Sequence, residues 1–191
     1  MKTIISLIII SFSLNSYPAT QRAIFAGGNF WSAEEAFEKL KGVKKVQSGF
    51  TGGRELNPTY EEVTHGETTH VEAVEVTYND SKITYQKLLE VFWKNIDPTD
   101  SQGQFCDRGD QYKTGIFYLN PTQKKLAVES LEQHNRSERF QNADVATFIR
   151  KAGPFYSADK KHQDYFKKHP VRYNFYKWTC GRKARLKEVW E

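Results

Sequence analysis

Only two of the 191 residues are cysteines, Cys106 and Cys180, and neither belongs to a CxxC pair. That excludes a disulfide-dense scaffold, and no Cys/His cluster has the spacing of a zinc site. No apolar run is long enough to cross a bilayer, because the longest, Ile4 to Leu14, falls short of the roughly 20 residues needed. Past residue 22 there is no linker, low-complexity tract or internal repeat, so residues 22–191 read as one domain, long enough to bury a real core. Charge of one sign is scarce too. The balance is 28 Lys and Arg against 23 Asp and Glu, a net +5, and basic residues cluster only in "GRKARLK", Gly181 to Lys187. A nucleic-acid-binding stripe needs more clustering than that, so no nucleic-acid partner is expected.

What the chain does have is a distinctive N-terminus and many aromatics. Residues 1–16 carry one Lys, then the apolar run, then small polar residues, as in a secretory signal peptide; the cut falls after Ser16 or Ala19. Its removal leaves 27 basic against 23 acidic residues, about +4, with no membrane association. Export implies a secreted or periplasmic protein in an oxidising compartment. Aromatics make up 14% of the chain and many lie beside Gly or Pro, which suggests concave aromatic surfaces.

Periodicity gives the elements. "RAIFAGG" reads as a strand ending in glycines, and "WSAEEAFEKLKG" as a helix with Ala33, Ala36, Phe37 and Leu40 on one face, ended by Gly42. "VKKVQSGFTGG" is a second strand; "RELNPTYEEVTHGETT" is a loop with one helical turn. "HVEAVEVTYND" alternates as a strand, and "TYQKLLEVFWKN" is an amphipathic helix carrying Leu88, Leu89, Phe92 and Trp93. After a long loop from Ile96 to Lys113 come the strand "TGIFYLN", a helix capped by Asn120 with Pro121 at its first position, and an edge strand in "ADVATFIR". "SADKKHQDYFKKH" reads as a last helix stopped by Pro170, followed by an aromatic, basic tail from Val171 to Glu191. Twice β-α-β gives an α+β fold, a ferredoxin-like split β-α-β two-layer sandwich with elaborated loops and a long C-terminal tail.

Candidate site residues gather in the long loops at strand ends. The first is the elbow Gly27-Gly28-Asn29-Phe30-Trp31, a strand-to-helix turn of the kind that presents a reactive group to a helix N-terminus. Its tip is Asn29, a good N-cap, and Glu34 and Glu35 suit the helix dipole. The others are Tyr60 after Asn57-Pro58, Glu72 at the start of an otherwise apolar strand, Asp107 and Tyr112 in the long loop, and Cys180 in the tail. Glu72 also has a plain reading as a surface strand residue, with Glu75 on either face, and the tyrosines as core residues. Cys106 reads as a core cysteine or as a partner for Cys180. His70 has no third ligand at convincing spacing and reads as structural, so no metal is assigned.

From Arg22 to Trp190 these segments resemble the type A peptide methionine sulfoxide reductases. The family's Gly-Cys-Phe-Trp signature stands here as Gly28-Asn29-Phe30-Trp31, with Ser32 where related chains often carry a second cysteine. The resemblance implies reduction of methionine sulfoxide, in oxidised proteins or as the free amino acid. The means is a thiolate that becomes a sulfenic acid, followed by a resolving thiol and a thioredoxin-like reductant, with no cofactor. It places the nucleophile at position 29 and Glu72 as proton donor, with Tyr60, Tyr112 and Asp107 around the sulfoxide oxygen. Phe30 and Trp31 hold the substrate methyl, and Cys180 is the candidate resolving cysteine on a mobile tail. Because an amide is no nucleophile, three expectations follow: a reductase, a module that binds the sulfoxide without reducing it, or a fold kept for a structural role.

Overall fold

The computed structural model describes residues 20–191. The signal-peptide reading of residues 1–16, with its cleavage point, lies outside the described residues. The order is β1 (Thr20–Gly27), α1 (Phe30–Glu38), β2 (Val43–Thr51), α2 (Tyr60–Thr64), β3 (Val71–Asn79) and α3 (Tyr85–Lys94). Then come the hairpin β4 (Gly103–Gln104) and β5 (Asp107–Arg108), β6 (Thr114–Tyr118), α4 (Pro121–Asn135), β7 (Phe148–Lys151) and β8 (Phe155–Ser157). Three helices close the chain: α5 (Tyr165–Lys168), α6 (Pro170–Thr179) and α7 (Arg182–Trp190).

Six strands form one sheet in the order β7-β6-β1-β3-β2-β8, and β1, the first strand in sequence, lies near its centre. β3 is antiparallel to both β1 and β2, and β6 is antiparallel to β1, so β1-α1-β2 and β3-α3-β6 are two interleaved split β-α-β units. The expected α+β class is therefore the observed one. α1 and α3 cover one face of the sheet. There Phe25 stacks on Phe37 at 4.9 Å and on Phe92 at 5.3 Å, and Leu88, Leu89 and Trp93 are buried as the helical spacing required. Trp93 Nε1 donates to Ser130 Oγ at 3.1 Å and ties α3 to α4. Asn120 caps α4 by accepting from the Gln123 amide, as expected.

Several expectations need correction. α1 ends at Glu38 with Lys39 as its cap, and Gly42 instead serves the turn into β2 with φ +103°. The edge strand is confined to Phe148–Lys151, paired in parallel with β6. The short strand β8, beside β2, was not foreseen. Residues 157–169 do not form one helix: Asp164 takes the left-handed φ of 55°, which no α-helix continues through, and only α5 follows it. Pro170 starts α6 rather than stopping a helix, because its fixed φ and missing N–H suit a first helical position. Nor is Val171 to Glu191 a tail. α7 is tied back through Trp190 Nε1 to the Ile96 carbonyl (2.9 Å), Arg185 to Asp97 (2.7 Å), and the buried Arg182 to the Asn95 carbonyl.

The β2–β8 contact is tight at one point. A Cβ built on Gly49 would sit 2.2 Å from the Tyr156 carbonyl oxygen and 2.7 Å from the Phe155 ring. Gly49→Ala must push β8 away, and the expected loss is about 1–3 kcal/mol in urea denaturation; an unchanged midpoint would contradict this packing.

Candidate active site

The elbow after β1 is built by Gly28. Its φ is +79°, and a Cβ there would meet the Gln104 side chain at 2.5 Å, so a residue other than glycine is excluded both by conformation and by space. Asn29 follows with φ −60° and ψ 126°, the extended backbone of an N-cap, and its Oδ1 accepts from the Trp31 amide at 3.0 Å. The cap expected from the sequence is thus in place. The first amide of α1 is bonded differently: Phe30 N–H donates to Glu72 Oε2 at 2.9 Å.

Glu72 shares the helix-covered face of β3 with Val74, Val76 and Tyr78, and it has no exposed surface. Glu75 takes the other face and pairs with Arg22 at 2.9 Å, which settles the alternative that Glu72 is a surface residue. Glu72 Oε1 has no hydrogen-bond partner among the described residues. Burial pushes its pKa up to about 8. The Phe30 amide opposes that shift and the charge of Asp107 adds to it. At neutral pH this carboxyl keeps its proton.

The other candidates converge on it. Tyr60 opens α2, whose cap Thr59 forms a reciprocal pair with Glu62. Burial, then the charges of Glu72 and Asp107, raise its hydroxyl to about 12. Tyr112 closes the 3-10 turn Asp110–Tyr112, and burial followed by Glu72, Tyr60 and Asp107 raises it also. Asp107, on β5, accepts a hydrogen bond from the Tyr176 hydroxyl, and burial raises its pKa. The charge of Glu72 acts on both Tyr60 and Tyr112, so the carboxyl and the two phenols lie near one another, and Glu72 Oε1 stands without a partner among the described residues. Phe30 is closed on every side by Phe50, Tyr60 and His162. Trp31 is half-buried, stacked on Tyr165 at 3.8 Å, so of the two expected methyl contacts it offers the accessible face.

Cys180 caps the end of α6 and is bonded to Cys106, with Cα atoms 4.9 Å apart. The open alternative for Cys106 is settled as pairing, and Cys180 sits at a docked helix end rather than on a mobile tail. Glu34 and Glu35 do not serve the helix dipole, since neither lies in the first turn of α1. Both oxygens of the buried Glu34 accept from the Asp164 amide at 3.0 Å, and burial pushes its pKa to about 7. Glu35 accepts from Tyr173 (2.7 Å) and Lys177 (2.6 Å). Burial alone would raise its pKa, but the bonds from Lys177, Lys39 and Tyr173 outweigh it and hold the group down at about 2. Both acids fasten the C-terminal segment over the site. His70 is structural: its Nδ1 accepts from the Gly53 amide (3.2 Å) and Nε2 donates to the Glu55 carbonyl (2.8 Å). Among the described residues no cluster of three His, Cys, Asp or Glu could hold a metal.

Tyr176, His162 and Tyr165 were missed. Helical spacing of Tyr176 from Cys180 was available as a signal, but only once Val171 to Glu191 is read as helix. His162 lies in "KKHQDYF", where a turn looks like one more polar helix face.

A buried protonated acid and two phenols, set at a helix N-terminus, define a site that receives a strongly accepting oxygen. The peptide methionine sulfoxide reductase family model matches residues 21–191. A peptide methionine sulfoxide reductase MsrA of Bacillus licheniformis is 51% identical, the match covering 88% of this chain and 92% of that one. One of Streptococcus mutans is 46% identical, covering 89% and 99%. Among solved structures, methionine sulfoxide reductase A of Corynebacterium diphtheriae aligns with a TM-score of 0.74 at 32% identity, covering 83% of this chain and 79% of that one. Reduced Mxr1 of Saccharomyces cerevisiae aligns with 0.74 at 29% identity, covering 85% and 93%. This chain belongs to the peptide methionine sulfoxide reductase family, a family of oxidoreductases.

The raised pKa of Glu72 has a measurable consequence. Its folded value, about 8, lies above its ordinary 4.5, so its protonated form stabilises the fold fully below about pH 4.5, and this contribution is lost as pH rises through about 8. Glu72→Gln removes that loss while keeping an acceptor for Phe30. The variant should match the native chain at pH 4 and exceed it by at least about 1 kcal/mol at pH 8.5. Parallel pH profiles of unfolding free energy would contradict a buried protonated acid.

Proposed function

We propose that this chain recognises the sulfoxide of oxidised methionine, in proteins or as the free amino acid, at the N-terminus of α1. The Glu72 carboxyl gives its proton to a hydrogen bond with the sulfoxide oxygen. The Tyr60 and Tyr112 hydroxyls add two more, Asp107 orders the far side through Tyr176, and the methyl group rests on Trp31. The observation that carries this reading is Glu72, a fully buried carboxyl with a raised pKa and one oxygen without a partner, aimed at no protein group. A sulfoxide oxygen is a strong acceptor with no proton of its own, and it matches a site that offers donors alone.

Position 29 is where the family resemblance places the nucleophile. Reduction needs a sulfur there: a thiol would attack the sulfoxide sulfur to form an S–S bond while the oxygen takes the thiol proton and the Glu72 proton and the S–O bond breaks to release water; water then attacks the thiol-derived sulfur, the S–S bond breaks, sulfenic acid and thioether form, and the proton set free returns to Glu72. Asn29 can do none of this, so in our reading the native chain binds and polarises the sulfoxide without reducing it. A second reading, turnover through Cys106, draws on its place beside Asp107, but that sulfur is held by Cys180. The same disulfide, with Cys106 exposed, is the group a thioredoxin-like dithiol would reduce, and it suits the exported, oxidising setting read from residues 1–16.

With dithiothreitol and a methyl sulfoxide substrate the native chain should show no turnover, and Asn29→Cys should gain it. Calorimetry of the native chain should detect N-acetyl-methionine sulfoxide N-methylamide at millimolar concentration or below. Native turnover abolished by Cys106→Ser would establish the second reading. No binding together with an inactive Asn29→Cys variant would leave only a structural role for the fold.

A further inference from the structure

Beside the sulfoxide site runs an open groove of about 330 Å³. Trp31 and Tyr60, which pack around Phe30 beside the site, also line the groove, so the two adjoin. The groove's other residues come from the turn before α5, from α5 and from the start of α6: Lys161, His162, Tyr165, His169 and Arg172.

Two observations mark it as built for a polar group. His162 is only 5% exposed, stacked on Tyr60 at 3.9 Å, and neither ring nitrogen has a partner among the described residues. Burial, then Lys161, lowers its pKa, so the ring keeps one unpaired N–H and one unpaired lone pair buried in the groove wall. Next to it α6 begins without a side-chain cap: His169 makes no capping bond and Pro170 has no N–H, so the Val171 and Arg172 amides open the helix unsatisfied by any capping side chain. Arg172 has no ion-pair partner among the described residues. Lys161 lies 3.6 Å from Glu61 and 3.9 Å from Asp159, loosely shared with both. The uncompensated charge of the groove is therefore positive, and it centres on Arg172.

We infer that this groove is a carboxylate subsite, which selects oxidised methionine bearing a carboxylate beside it. That group is either the side chain of a neighbouring Glu or Asp or the methionine's own terminal carboxylate. Arg172, with Lys161 second, would pair with it while the sulfoxide sits against Glu72. The inference rests on the sulfoxide-binding reading above and adds to it a preference among oxidised substrates.

Calorimetry on the native chain with four ligands tests it: N-acetyl-methionine sulfoxide N-methylamide, N-acetyl-methionine sulfoxide with its free carboxylate, and the N-acetyl dipeptide amides of methionine sulfoxide followed by Glu or by Gln. At least one carboxylate should bind about three- to tenfold tighter than its neutral counterpart, and which one does so identifies the source. The gain should vanish in Arg172→Ala, shrink in Lys161→Ala, fall with added salt and persist in the distant Lys125→Ala, while the neutral amide binds all four chains alike. Equal binding of charged and neutral ligands to the native chain, or a gain that survives Arg172→Ala, overturns the subsite and leaves the sulfoxide reading intact. Failure of every sulfoxide ligand to bind overturns both.

Discussion

A carboxyl with no exposed surface and a single hydrogen bond governs this molecule. Glu72 reaches from the centre of the sheet to the first amide of α1, and that bond fixes where the helix begins. Everything nearby follows from the cost of burying an acid. The group keeps its proton because desolvation outweighs the one amide that would favour its charge. It can be held there at all because β3 is flanked by β1 and β2 and cannot yield. Gly28 is required because the elbow must bring α1 down onto that carboxyl without striking Gln104. Tyr60 and Tyr112 stay neutral for the same reason as Glu72, since burial is the largest cause of each raised pKa and the charge of Glu72 comes next.

The C-terminal segment is shaped by acids of the same helix. Glu34 and Glu35 are adjacent, yet one is pushed up to about 7 and the other held near 2. The difference is the partner. Glu34 is bonded chiefly by a backbone amide and meets no cation, whereas Glu35 meets two lysines and a phenol. Together they hold the Asp164 turn and α6 across α1, which carries Tyr176 onto Asp107 and brings Cys180 to Cys106. A 3-10 turn, a two-stranded hairpin and a short helix thus converge around Glu72 although no regular element joins them.

The strands and long helices were legible because their signals are local. Alternation in Val71 to Tyr78, the 3.6-residue rows of α3 and the Asn120-Pro121 start of α4 each specify an element without help from elsewhere. Where sequence reading failed, the deciding interaction was distant. Nothing local says that Asp164 adopts a positive φ; the bond from its amide to Glu34, 130 residues away, holds it there. Nothing local separates a basic aromatic tail from two docked helices, because α6 is anchored by Glu35 and Asp107 and α7 by Asn95, Ile96 and Asp97 rather than by an apolar stripe. The core of the site was legible in part for a chemical reason: an acid in an apolar strand and a polar residue between Gly28 and two aromatics break local rules, and such breaks concentrate at functional sites. His162 and Tyr176 break none and went unseen.

Asn29 brings these strands of argument together. A cap needs an extended backbone and a side-chain acceptor within reach of the second or third amide, and Asn29 supplies both with its Oδ1 on Trp31. A thiolate at the same point would face the same amides and dipole but would have to leave them free for chemistry. The residue can therefore serve the helix or the reaction, and the cap is worth about 0.5–2 kcal/mol. The helix start, however, does not depend on this choice, because Glu72 holds the Phe30 amide and Gly28 sets the turn whichever residue follows. That independence separates the two properties of the pocket. Its shape and its supply of hydrogen-bond donors are fixed by the sheet, by α2 and by the C-terminal helices, and only its nucleophilicity is decided at position 29. A change confined to that position alters the cap and local stability while leaving Glu72, Tyr60 and Tyr112 where β3, α2 and the 3-10 turn hold them.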